Sequence, residues 1–240
     1  MNMLRELLSI FRTDDAAARM ATDFADMLDR VRELTLQAGT HYFERQPTAD
    51  ERTDLIRKDV KVNKLERKIR KQVIAHLTLD GSGSRAPYGL MLMSIVKDAE
   101  RIGDYAKNLS EVYDEGGGAL PEGDENVEEL LEIRRIAEMI LAEVRPVFTA
   151  SDGEKAAELL RVGRDVVERA DRLVPRIARG PYDAATTTTL ILGTRYYKRI
   201  ASHLMNILSG VVMPLHKLDY YDEDLLTQIA ETAEGPDEGE

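Results

Sequence analysis

Residues 98–108 read Asp-Ala-Glu-Arg-Ile-Gly-Asp-Tyr-Ala-Lys-Asn, and residues 196–206 read Tyr-Tyr-Lys-Arg-Ile-Ala-Ser-His-Leu-Met-Asn. Both stretches hold an Arg-Ile pair and a final Asn in the same register. An internal repeat constrains architecture because each copy should form one supersecondary unit. The sequence therefore predicts two copies of one unit. The copies differ in charge, since Glu100 and Asp104 of the first become Lys198 and Ser202 of the second.

Apolar residues on either side of both copies recur at helical spacing, and no segment shows the sustained alternation of a strand. Gln46-Pro47, the Gly/Ser-rich residues 80–84, Gly180-Pro181 and Pro214 interrupt this pattern. The pattern predicts an all-α fold with six long helices, arranged as a tandem repeat of two antiparallel three-helix bundles. The predicted segments are an N-terminal amphipathic segment (1–14), the first repeat (15–114), a Gly-rich linker (115–125), the second repeat (126–214) and an acidic tail, disordered at its end (215–240).

The composition of the chain excludes some kinds of metal site and argues against some classes of binding partner. The chain has 240 residues, a net charge of −11 and no Cys, which excludes disulfides and thiolate metal sites. Its acidity argues against unassisted binding to nucleic acid or anionic lipid, although residues 58–71 form a candidate local basic strip. Residues 1–12 do not resemble a signal peptide, and no stretch has the roughly 18 uncharged apolar residues of a membrane span.

Carboxylates interrupt the apolar face of the second predicted helix. Asp59 and Glu66 alternate along that face with apolar residues, and Asn63 adds an oxygen on the same flank. A buried lone carboxylate costs several kcal/mol unless it is paired or bound to a cation. In the third helix Glu100 and Asp104 stand four residues apart, on one face. Inward-facing acids on neighbouring helices are how helical bundles build carboxylate metal sites.

The spacing leaves ordinary alternatives open. The two acids of the third helix could belong to a solvated charged face. Those of the second helix could pair with Arg57, Lys64 or Arg101. The sequence has no nucleophile elbow, phosphate-binding Gly loop or Glu-x-x-His pair, so a non-enzymatic protein is favoured. The alternatives are a metal-binding, carboxylate-bridged helical bundle and a metal-free helical scaffold.

The segment Glu-Arg-Ile-Gly-Asp-Tyr-Ala-Lys-Asn at 100–108 resembles the signature of the PhoU family of phosphate-uptake regulators. Residues 59–66 resemble the family's second-helix pattern, with Asn63 where an acid would be usual. The resemblance implies a cytoplasmic homodimer that regulates phosphate transport and phosphate-starvation signalling. Its implied partners are a phosphate transporter subunit and a sensor histidine kinase, and association with the membrane would occur through a membrane protein. Its implied metal ligands, for iron, Zn²⁺, Mn²⁺ or Mg²⁺, are Asp59, Asn63, Glu66, Glu100 and Asp104.

The second copy departs from the family pattern. Lys198 and Ser202 replace the two carboxylates, and the preceding helix retains mainly Asp171. We expect Lys198 to neutralise Asp171 and this repeat to bind no metal. Arg195 and Arg199 nearby could alternatively receive an anion or an acidic partner surface.

Overall fold

The computed structural model describes residues 15–79 and 86–219. No β-strand occurs within these ranges, and no helix there combines the length and apolar character that a membrane span requires. The predicted N-terminal segment (1–14) and most of the predicted tail, from residue 220 onward, lie outside the described residues. The helices are α1 (Asp15–Phe43), α2 (Ala49–Leu79), α3 (Ala86–Glu111), α4 (Glu125–Ala150), α5 (Gly153–Ala178) and α6 (Ala184–Val212), followed by a 3₁₀ turn, Leu215–Lys217.

Side-chain caps explain where several helices begin. Thr48 and Glu51 form a capping box before α2: the Thr48 amide donates to Glu51 Oε2 at 2.9 Å, and the Glu51 amide donates to Thr48 Oγ1 at 3.3 Å. An aspartate caps each helix of the second repeat, at positions 124, 152 and 183. Pro146 lies inside α4, which continues to Ala150.

Each repeat packs as a three-helix bundle, and the all-α tandem architecture predicted from the sequence is confirmed. In the first repeat α1, α2 and α3 all contact one another, and in the second α4, α5 and α6 do the same. The core is mainly aliphatic. Its largest fully buried aromatic side chains are Phe24, Tyr42, Tyr88, Phe148 and Tyr197.

The two bundles pack together through α1 against α4 and α3 against α6. A polar network lies within the second of these contacts. Asp98 of α3 has no exposed surface. His203 Nδ1 of α6 lies 2.7 Å from Asp98 Oδ1, and Asn206 Nδ2 donates to the same oxygen at 3.0 Å. A buried carboxylate therefore joins the two repeats.

The α3–α6 contact follows the repeat of the sequence. Asp98 and Tyr196 occupy equivalent positions of the two copies, as do Tyr105 and His203. The structure places His203 on Asp98 and Tyr105 beside Tyr196, with 6.1 Å between the ring centroids of the two tyrosines. Tyr105 also stacks on His203 at 5.7 Å. The two repeats thus use equivalent positions to contact each other, with a polar pair at one end and an aromatic pair at the other.

The linker between the repeats is held against the start of α6. The Gly118 amide donates to Ala185 O at 3.0 Å, and Thr189 Oγ1 donates to Gly118 O at 2.8 Å. Tyr42 of α1 donates its hydroxyl to Thr189 O at 2.8 Å, and a side chain at Gly193 would overlap the Tyr42 ring. The first repeat, the linker and α6 are therefore packed as one unit.

We predict that His203→Phe lowers the free energy of unfolding by about 3 kcal/mol, because it removes one partner of a buried carboxylate. Urea unfolding of the purified protein measures the change. His216→Phe is the matched control: His216 is exposed, and we expect a change within about 0.5 kcal/mol. Equal losses in the two variants would show that the Asp98–His203 contact does not stabilise the fold.

Candidate carboxylate metal site

The packing of α2 on α3 brings the predicted acids of the first repeat to one seam. The buried face of α2 carries Leu55, Val62 and Ile69, each at most 2% exposed. Asp59 lies on this face at 6% exposure, and the Glu66 side chain is 15% exposed. The alternation of acids and apolar residues that the sequence indicates therefore places both carboxylates against α3.

Asp59 has the least satisfied carboxylate of the set. Its Oδ2 accepts a hydrogen bond from Asn63 Nδ2 at 3.3 Å, whereas its Oδ1 and Asn63 Oδ1 are buried without a hydrogen-bond partner among the described residues. Gly103 lies opposite: a Cβ there would be 3.8 Å from Asp59 Oδ1 and 3.6 Å from Val62 Cγ1. The absence of a side chain at Gly103 leaves room beside the unpaired oxygen.

The other three carboxylates are paired with arginines. Arg70 Nη2 lies 2.8 Å from Glu66 Oε1, one turn along α2. Arg101 lies 3.0 Å from Asp104 Oδ2 and 3.6 Å from Glu100 Oε2. The interpretation that Glu66 pairs with Arg57, Lys64 or Arg101 was wrong, because the i,i+4 partner Arg70 is nearer.

The acids of α3 do not form an open solvated face. The Glu100 side chain is 18% exposed and that of Asp104 is 28% exposed, because α3 packs against α2 along this side. Only Arg101, which bridges the two, is well exposed, at 52% of its side chain. The alternative of a freely hydrated charge pair does not describe these residues.

Burial and mutual repulsion raise the pKa of two of these acids. Burial raises the pKa of Asp59, and the nearby Asp104 raises it further, against the opposing effect of Lys107. Burial also raises the pKa of Glu100, with additional repulsion from Asp104, Glu66 and Asp59. The four carboxylates therefore share one local field, in which a positive charge is favoured.

The chemistry of this donor set suits a hard cation, since it offers carboxylate and amide oxygens and no sulfur. The two buried oxygens without partners, on Asp59 and Asn63, are the observation that fits a cation best. In the described parts of the chain, however, no three His, Cys, Asp or Glu side chains are grouped closely enough to hold one ion. A metal at Asp59, Asn63, Glu66, Glu100 and Asp104 stays a prediction.

The equivalent seam of the second repeat has a different charge arrangement. Lys198 Nζ of α6 forms a close ion pair with Asp171 Oδ1 of α5, and Ser202 Oγ donates to Lys198 O at 2.9 Å. The side chain of Lys198 is only 24% exposed, so its ammonium lies along the seam between the helices. A lysine thus provides in this repeat the positive charge that arginines provide in the first.

The sequence analysis did not predict the buried Asp98–His203 contact. It considered the histidines only as metal ligands, and no two of them stand at metal-ligand spacing. A signal was present: Asp98 lies between Ile95 and Ile102 at helical spacing, so it had to face the core. His41 was missed for the same reason. It is buried on α1, where its Nδ1 lies 2.8 Å from Ser110 Oγ, and burial lowers its pKa.

We predict that Asp59→Asn raises the free energy of unfolding of chelator-treated protein by about 1 kcal/mol, because it removes a buried charge with an unpaired oxygen. Asp171→Asn is the matched control in the second repeat. It removes the charge that pairs with Lys198 and should leave stability unchanged or lower it by up to about 1 kcal/mol. Thermal or urea unfolding reports both values. A loss of stability in Asp59→Asn would contradict the electrostatic strain assigned to this seam.

Comparisons with known proteins agree with this architecture. Residues 24–112 match the family model of the PhoU domain. The solved phosphate transport system regulatory protein PhoU from Streptococcus pneumoniae is similar to the chain with a TM-score of 0.68 and 17% identity, over 81% of this chain and 92% of that one. PhoU from Pseudomonas aeruginosa is similar with a TM-score of 0.63 and 16% identity, over 89% of this chain and 99% of that one. No curated protein matches the chain by sequence.

The family model covers the repeat that holds the signature at 100–108. The structural similarity extends over most of this chain and most of each of the two solved chains. The resemblance inferred from that signature is confirmed. The chain therefore has a PhoU domain in its first repeat and the PhoU fold across both repeats.

Proposed function

We propose that this protein regulates phosphate transport without catalysing a reaction. The observation that carries the proposal is the PhoU domain at residues 24–112, in a chain whose fold over both repeats is that of a phosphate transport regulatory protein. Such a regulator acts by binding to its protein partners, so the bound partner and the conditions of binding determine its effect on transport. The partners we propose are a subunit of a phosphate transporter and a sensor histidine kinase of phosphate-starvation signalling. We further propose that it acts in the cytoplasm as a homodimer.

We predict that the tagged protein captures a phosphate transporter subunit or a sensor histidine kinase, and that capture changes with phosphate supply. The measurement is a pull-down from cells grown at high and at low phosphate. The matched control is the protein destabilised by His203→Phe, whose capture should fall in proportion to its folded fraction. Absence of both partners under both conditions would overturn the docking function.

We also propose that the carboxylate seam of the first repeat binds a divalent metal or iron. Asp59, Asn63, Glu66, Glu100 and Asp104 would hold it. Two of these residues carry the buried oxygens that lack partners, and the repulsion felt by Glu100 would be relieved by a cation. Such a metal would compete with Arg70 and Arg101 for the carboxylates that these arginines now contact. Metal binding would then change the charge exposed along α3, and a partner protein that contacts α3 would bind the two states with different affinity.

We predict that wild-type protein purified without chelator contains metal, that Glu100→Gln with Asp104→Asn loses it, and that the metal raises the melting temperature of the wild type but not of this variant. The matched variant in the second repeat is Lys198→Glu with Ser202→Asp, which restores the family's two acids and should add metal. Elemental analysis and thermal unfolding in Mn²⁺, Fe²⁺ and Zn²⁺ measure these changes.

Two results would contradict this assignment. Equal metal content in the wild type and in the Glu100→Gln, Asp104→Asn variant would place the metal elsewhere. Unchanged metal content after Lys198→Glu with Ser202→Asp would show that charge at these positions does not decide binding in the second repeat.

A further inference from the structure

The outward face of α2 carries a continuous row of cations, which we call the α2 strip. The helix packs on α1 and α3 through the face that holds Leu55, Val62 and Ile69. At 100° per residue, the opposite face collects the exposed basic side chains of the helix. The α2 strip consists of Arg57, Lys61, Lys64, Arg67 and Lys71, all of them exposed.

The charge of the α2 strip is not compensated locally. None of its five side chains forms an ion pair with another described residue, whereas the neighbouring Lys58, Lys68 and Arg70 are bound to Asp54, Asp23 and Glu66 respectively. The acids of this part of the helix, Asp59 and Glu66, are turned away toward α3. A chain with a net charge of −11 thus presents one strongly positive face.

Three apolar side chains project beside these cations. Ile56 is 51% exposed, Val60 is 41% exposed and Ile74 is 59% exposed. On the helical wheel, residues 56, 60, 67 and 74 fall within about 40° of one another, at the edge of the basic arc. This face therefore offers a partner both ionic and apolar contacts.

The distribution of these residues distinguishes among partners. A protein interface has an apolar centre and a polar rim, but here Arg67 separates Ile74 from Ile56 and Val60 along the helix, so the apolar residues form no continuous centre. A nucleic acid backbone would offer no apolar contact to Ile56 or Ile74. An anionic bilayer surface offers both, since headgroups attract Lys and Arg while apolar side chains enter the boundary with the acyl chains.

We propose that the α2 strip binds the surface of an anionic lipid bilayer, with its cations among the headgroups and Ile56, Val60 and Ile74 at the boundary with the acyl chains. The acidity of the whole chain does not prevent this, because charges farther away than the Debye length of about 10 Å are largely screened at 0.1 M salt. The α2 strip runs over residues 57–71 of this helix, about 21 Å along its axis, so several lipids are contacted at once. This contact is independent of the proposed function, which requires only protein partners.

The test is flotation of the purified full chain with two kinds of vesicle: phosphatidylcholine alone, and phosphatidylcholine with one quarter phosphatidylglycerol. We expect binding to the anionic vesicles at 50 mM salt, none to the neutral vesicles, and loss of binding at 500 mM salt because screening removes the attraction. Binding to both vesicle types alike would overturn the proposal.

Variants of equal charge locate the contact. Lys61→Gln with Lys64→Gln and Lys71→Gln should weaken binding about 100-fold, since each lost cation weakens it about fivefold. Arg161→Gln with Arg172→Gln and Arg179→Gln removes three exposed cations from α5 and its C-terminus and should change affinity less than about threefold. Ile56→Asn with Ile74→Asn should weaken binding at constant charge. Circular dichroism establishes that each variant is folded.

Other outcomes exclude the lipid contact and keep the proposed function intact. Equal binding of the two triple variants would move the contact away from α2. Binding of the wild type to polyglutamate but not to anionic vesicles would identify an acidic protein as the partner of the α2 strip. In either case capture of the transporter or kinase from detergent extracts remains a separate measurement.

Discussion

The contact between the two bundles is organised around a carboxylate that has no access to water. Asp98 lies at the contact of the two bundles, and a buried charge of this kind is tolerated only when polar groups surround it. His203 and Asn206 supply those groups to Oδ1 from the other repeat, more than a hundred residues along the chain, while Oδ2 is buried without a hydrogen-bond partner among the described residues. The apolar packing of α1 on α4 and of α3 on α6 could accommodate small slides. The Asp98 network requires α3 and α6 to meet in one register, and that register positions the outer helices α2 and α5.

The seams between those outer helices and the central ones differ in charge. In the first repeat, acids on α2 and α3 face one another, with Arg70 and Arg101 at their edges and one oxygen of Asp59 left without a partner. In the second, Lys198 lies directly on Asp171. The first seam therefore retains unpaired negative potential and the second does not. Two bundles with one backbone plan thus carry different charge arrangements at equivalent seams.

Periodicity was sufficient to predict the six helices, because apolar spacing and the breaks at Pro and Gly are local properties of the chain. It also placed Asp59 and Glu66 on the buried side of α2. It could not choose Arg70 as the partner of Glu66, since several cations lie within reach and packing decides among them. The contact of His203 with Asp98 was equally out of reach, because it depends on how two bundles meet.

The α3–α6 contact also determines which halves can associate. If two copies of the first repeat met through the same face, each Asp98 would lie against a Tyr105, and a buried charge would lose the imidazole that now contacts it. Two copies of the second would set Tyr196 against His203, with no carboxylate at all. Within this chain, one copy of each half brings His203 to Asp98 and Tyr196 to Tyr105. The two copies of the repeat have thus diverged into complementary halves, because the position that holds His203 in the second copy holds Tyr105 in the first.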